Sequence, residues 1–146
     1  MSSYTYPPAL PESHTQFAND GDQPKIHLLT KGTPNGYKVS ILLEELRGAY
    51  PKEPKLAYDF VDIQFDKNEQ KSPEFLKVNP NGRIPALVDD NVQVNGKGHN
   101  VFESISILLW LVEKYDPEHK FWFSDEIERS HAFSWLAFGQ GGESPP

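Results

Sequence analysis

Three short stretches of this 146-residue chain carry residue types that hold a negatively charged sulfur or carboxylate. The loop Lys31-Gly32-Thr33-Pro34-Asn35-Gly36 runs straight into a helix signal, where unpaired backbone N–H groups and the positive end of the helix dipole favour an anion or thiolate. The Asn35 amide and the Thr33 hydroxyl add side-chain donors there. Arg83-Ile84-Pro85 opens a strand. A proline at that point removes one ladder donor, and in the cis form it turns the Ile84 N–H and C=O outward to pair with an extended peptide. Glu103-Ser104 opens another helix and makes a second site, suited to a carboxylate. A ligand matched to all three is a short peptide with a thiol, a strand-like middle and an extra carboxylate. The chain has no cysteine, so it holds no disulfide, thiolate metal site or thiol nucleophile of its own, and the sulfur has to come with the ligand. Each residue also has a structural reading: Asn35 and Ser104 as helix caps, Thr33 as a turn residue, Pro85 as a trans proline at a strand start.

The remaining sequence supplies elements that bring these loops together. Residues 26–29 read as a short strand. Val39, Leu42, Leu43 and Leu46 then fall at i, i+3, i+4 and i+7, one face of a helix ending near Gly48. Residues 56–63 read as a second strand, and a strand–helix–strand unit makes the two strands parallel. Ser72-Pro73-Glu74 starts a short helix that Asn79-Pro80-Asn81-Gly82 stops. Residues 84–88 and Val101-Phe102 are a third and fourth strand, antiparallel across a loop spanning 89–100. The helix over 104–115 is apolar around most of its circumference and is expected to be buried on two sides. The order β-α-β-α-β-β-α is that of a thioredoxin-like α/β domain with a mixed sheet, over 25–116. Residues 1–24, proline-rich and without apolar periodicity, read as a flexible tail, 117–124 as a linker, and 125–146 as the first helix of a second, all-helical domain. Trp110, Trp135 and Phe138 read as packing residues, the last two where a hydrophobic substrate pocket would border.

Charge and histidine spacing narrow the function classes. Fourteen basic against 21 acidic side chains give a net charge of −7, which argues against general nucleic-acid or anionic-membrane binding. No apolar run approaches the ~18 residues of a membrane span and no signal pattern opens the chain, so a cytoplasmic location is expected. His27, His99 and His131 lack metal-ligand spacing, and no metal is expected.

The ordered set Thr33-Pro34-Asn35-Gly36-Tyr37-Lys38-Val39-Ser40-Ile41-Leu42-Leu43-Glu44-Glu45-Leu46, Pro73-Glu74-Phe75, Asn79-Pro80-Asn81-Gly82-Arg83-Ile84-Pro85-Ala86-Leu87, and Phe102-Glu103-Ser104 with Ile107-Leu108-Leu109 resembles the glutathione transferases. The Thr-Pro-Asn-Gly turn is similar to the nu-class bacterial enzymes and the fungal relatives of the yeast nitrogen-catabolite regulator and prion protein. The resemblance implies glutathione as co-substrate, with Thr33 and Asn35 facing its sulfur and Gln70 contacting its glycine end. It implies that Ile84 pairs with the cysteinyl backbone next to a cis Pro85, that Glu103 and Ser104 hold the γ-glutamyl group, and that Arg83 adds positive charge nearby. The implied activity is glutathione transfer or glutathione-dependent disulfide reduction, acting on a disulfide or electrophilic small molecule, in a family-like homodimer. The C-terminal helical domain is expected to be truncated, leaving the second face of the 104–115 helix and the face around Trp135 exposed. The alternative is a non-catalytic module of the same fold with a regulatory or interaction role.

Overall fold

In this computed structural model, which describes residues 15–17 and 23–142, five strands form one mixed sheet. They are β1 (Thr15–Phe17), β2 (Ile26–Thr30), β3 (Tyr58–Asp62), β4 (Ala86–Val94) and β5 (Lys97–Phe102), in the spatial order β1-β3-β2-β4-β5. β2 and β3 are parallel, as their helical connection requires, and β4 runs antiparallel to both β2 and β5.

Alternation along β2 sends Ile26 and Leu28 to one face and Leu29 to the other. On the first face Val39, Leu43 and Leu46 of α1 (Pro34–Ala49) and Ile107 and Leu111 of α3 (Ser104–Tyr115) close over the strands, all fully buried. On the second face Phe75 and Val78 of α2 (Pro73–Val78) pack with Leu29, Val61, Ile63 and Val88. A last helix, α4 (Glu126–Gly142), follows the turns after α3. This is the thioredoxin-like arrangement the sequence predicts, with the C-terminal helix in place.

Several boundaries differ. Thr15–Phe17 lies in the segment read as a tail, yet it pairs antiparallel with β3, Gln16 opposite Asp59. Edge pairing of this kind runs through the main chain and so leaves no apolar period to read. Elsewhere in the 1–24 tail, residues 1–14 and 18–22 lie outside the described residues, and Gln23 and Pro24 lead into β2 without regular structure. The second strand begins at Tyr58 rather than 56, because Pro54–Leu56 forms a 3-10 turn whose Lys55 N–H donates to the Glu53 carboxylate at 3.0 Å. The third and fourth strands are longer than expected: β4 continues through the polar run 89–91 to Val94, past an irregularity between Asp89 and Gln93, and the turn narrows to Asn95-Gly96. Nor does α3 present an exposed second face. Its Ile105, Leu108, Leu109 and Trp110 are half-buried, whereas the face of α4 around Trp135 is exposed as expected: Trp135 and Phe138, read also as packing residues, meet each other edge to face at the surface.

Candidate functional site

The loops entering α1, β4 and α3 meet at one cleft of about 520 Å³. Asn35, Arg83, Ile84, Pro85, Glu103 and Ser104 all line it, so six of the eight candidate residues come together. Thr33 and Gln70 stand outside the lining. A larger depression of about 690 Å³, around Lys25, Asp90 and His99 beside the β4–β5 turn, holds none of the eight.

At the α1 entrance the capping residue is Thr33, not Asn35. Its Oγ1 accepts from the Gly36 N–H at 3.2 Å, and Pro34 occupies the first helical position, where its missing N–H costs nothing. Gly36 fits only without a side chain, because a Cβ there would lie 2.4 Å from both the Lys31 carbonyl and the Thr30 hydroxyl. The cap leaves Asn35 free to face the cleft. Its Oδ1 accepts from Lys38 Nζ at 3.1 Å, which turns the amide nitrogen away from the lysine. No acidic residue sits in the first turn of α1, so nothing offsets the positive end of its dipole.

The second loop is held by the buried Asn79. Its Nδ2 donates to the Arg83 carbonyl at 2.6 Å, its Oδ1 accepts from Asn81 N–H, and its carbonyl accepts from Gly82 N–H. Gly82 takes φ +64°, a conformation glycine adopts without strain, with the Gln70 carbonyl 2.9 Å from where a Cβ would stand. The Ile84–Pro85 bond is cis, and the Ile84 main chain forms no hydrogen bond with another described residue.

Glu103 precedes α3 with φ +70° and ψ 126°, a backbone state that costs a non-glycine residue about 1–3 kcal/mol and persists only where its surroundings enforce it. Asn81 Nδ2 donates to Glu103 Oε1 at 3.1 Å, and Ile107 N–H donates to its carbonyl. Ser104 is therefore the first helical residue rather than the cap. It is buried, and its hydroxyl has no hydrogen-bond partner among the described residues. A buried, unpaired hydroxyl costs free energy unless something outside the chain satisfies it.

Lys38, Asn79 and Gln140 also reach this cleft and were missed by the sequence reading. Lys38 was visible as the i+3 neighbour of Asn35, and Asn79 as the first residue of the Asn-Pro-Asn-Gly turn. Gln140 carried no signal, since only folding brings the end of α4 here; its Oε1 is buried and unpartnered among the described residues, as is that of Gln70. No group of three or more His, Cys, Asp or Glu suited to a metal ion occurs among the described residues. The cleft thus offers an amide donor, an open strand-like main chain, a helix start with a free hydroxyl, and two cationic side chains against one carboxylate. It can hold an extended anionic peptide and stabilise a negative charge at Asn35.

The family model of the glutathione S-transferase N-terminal domain matches residues 24–113. Protein URE2 of Candida maltosa is 36% identical over 118 residues, 79% of this chain and 32% of that protein. The glutathione transferase URE2P5 of Phanerochaete chrysosporium superposes with a TM-score of 0.73 at 40% identity, covering 84% of this chain and 49% of its own. URE2P6 of the same organism, solved in complex with oxidized glutathione, gives 0.71 at 41% identity, with 84% and 51% covered. The chain therefore spans about a third to about half of the length of these relatives.

Proposed function

The chain belongs to the glutathione S-transferase family, and on that premise we propose that its cleft binds glutathione and presents the thiolate to a disulfide or another electrophile. The observation that carries the reading is the buried, unpartnered Ser104 hydroxyl, in one cleft with the Asn35 amide and the unpaired Ile84 main chain. In this reading the γ-glutamyl carboxylate takes the Ser104 hydroxyl and the first N–H groups of α3. The cysteinyl backbone pairs with Ile84 as an added strand, and the sulfur lies against Asn35. Thr33 enters as the cap that holds the Asn35-Gly36 turn. Gln70, outside the lining, carries no part of it.

The energetics suffice without a general base. A free thiol has a pKa of about 8.5, and each unit of lowering corresponds to roughly 1.4 kcal/mol. A hydrogen bond to a charged group contributes about 1.5–3 kcal/mol, so one or two donors bring the bound thiol to mostly thiolate near neutrality. The thiolate attacks one sulfur of a disulfide, that S–S bond breaks, and the departing sulfur leaves with the electron pair and takes up a proton. A second glutathione resolves the mixed disulfide, giving oxidized glutathione and the second reduced thiol.

Titration calorimetry with reduced and oxidized glutathione, beside a hydroxyethyl-disulfide reductase assay, tests the proposal. Heat of binding together with turnover is expected. Binding without turnover favours the non-catalytic module, and no binding of either form overturns the reading.

A further inference from the structure

Resting on that reading, we infer that Lys38 is the positioning residue for Asn35, deciding which end of the Asn35 amide meets the ligand's sulfur. Lys38 Nζ donates to Asn35 Oδ1 at 3.1 Å, and both side chains line the cleft. They stand three residues apart on α1, the spacing at which side chains on one helix meet. A primary amide carries an acceptor oxygen at one end and two N–H donors at the other, with nearly the same shape. Turned over, Asn35 would present its oxygen, and the partial negative charge there repels a thiolate. Lysine only donates, so it can hold Oδ1 and cannot hold Nδ2. The pairing leaves the amide nitrogen as the end that faces the cleft, and a cation on the oxygen strengthens those N–H donors through polarisation. Lys38 Nζ makes no other hydrogen bond or ion pair among the described residues, so the contact with Asn35 is not shared with a carboxylate. The lysine acts through Asn35 and does not need to touch the sulfur.

The test compares wild type with K38M, which keeps the length of the stem, and K38R, which keeps the donor. The thiol pKa of bound glutathione is read from thiolate ultraviolet absorbance across pH. Binding of S-methylglutathione, which has no thiolate to form, is measured in parallel, and the Asn35 side-chain amide is followed in ¹⁵N–¹H spectra of the ligand-free chain. K38M is expected to raise the bound thiol pKa by about one unit, to shift the Asn35 amide signals, and to bind S-methylglutathione as wild type does. K38R is expected to restore both the pKa and the signals. An unchanged thiol pKa in K38M overturns the inference, as does an equal loss of S-methylglutathione binding. If wild type binds no glutathione, the proposed function falls, and the ligand-free spectra still decide the positioning role: Asn35 signals unmoved in K38M overturn it.

Discussion

Tyr115 donates its hydroxyl hydrogen to the fully buried carboxylate of Asp89 at 2.6 Å, tying the last turn of α3 to β4. Burial and then the Asp89 carboxylate push the Tyr115 hydroxyl well above its usual pKa, so it stays a donor. Trp110 Nε1, at 2.9 Å, and Asn91, through its main-chain N–H at 3.0 Å and its Nδ2 at 3.1 Å, also donate to the carboxylate. This network lets a polar run continue as strand, and it fixes the helix whose first turn lines the cleft. Tyr115→Phe removes this charge-assisted bond together with the bond that Asn91 Nδ2 donates to the Tyr115 oxygen at 3.0 Å, and leaves the Trp110 and Asn91 bonds to Asp89, so it is expected to lower stability by about 1.5–3 kcal/mol. Urea unfolding reads this as a lower midpoint with an unchanged slope. An unmoved midpoint would show that the bond contributes nothing net.

His27 links three strands: its Nδ1 lies 2.7 Å from Asp59 Oδ1 on β3, and its Nε2 lies 3.2 Å from Asp90 Oδ2 on β4. Burial works to lower its pKa, and the two carboxylates together outweigh burial, leaving it above 6.5. A folded pKa raised in this way contributes stability that is complete below the unfolded value and is lost as pH climbs through the folded one. Unfolding free energy should therefore decline as pH rises from about 6.5 upward, and His27→Gln should flatten that decline. A slope that survives in His27→Gln would assign it to other groups.

Much of this was legible in the chain because it follows from local rules. The apolar spacing of Val39, Leu43 and Leu46, the Ser72-Pro73 start and the Asn-Pro-Asn-Gly stop each act within a few residues, and the elements they define are present. Asn35, Arg83, Ile84, Pro85, Glu103 and Ser104 share one cleft because each marks a loop at the same end of the sheet. What escaped reading depends on partners far along the chain. Asp89 looks like a loop residue until Trp110 and Tyr115 satisfy it, and β1 owes its strand to the edge of β3. Gln140 reaches the cleft only once α4 has folded back.

Gly36 and Gly48 of α1 should respond to alanine with opposite signs. Alanine in a helix is ordinarily favoured over glycine by about 0.5–1 kcal/mol. At Gly48 nothing lies within 4 Å of the added Cβ, so Gly48→Ala should stabilise the chain by that amount. At Gly36 the Cβ meets a backbone carbonyl and a hydroxyl at 2.4 Å, and overpacking costs about 1–3 kcal/mol, more than the helix gain. The displacement would also disturb Asn35, so glutathione binding should weaken along with the melting temperature. A stabilised Gly36→Ala would show that the loop gives way at no cost.

Ser104 separates a binding role from a folding role more cleanly than any other residue in the cleft. Its hydroxyl is buried and makes no hydrogen bond among the described residues, and the capping position belongs to Glu103. Removing an unsatisfied buried group takes away a desolvation cost rather than an interaction, so Ser104→Ala should leave stability unchanged or slightly higher. If the hydroxyl meets the γ-glutamyl carboxylate, the same substitution removes a hydrogen bond to a charged group, about 1.5–3 kcal/mol, which lowers glutathione affinity by at least about tenfold. Thermal melting and titration calorimetry on the one variant give both numbers. A stable variant with much weaker binding assigns the hydroxyl to the ligand. Full affinity would place the γ-glutamyl group elsewhere, and a lowered melting temperature would mean that the hydroxyl has a partner within the fold.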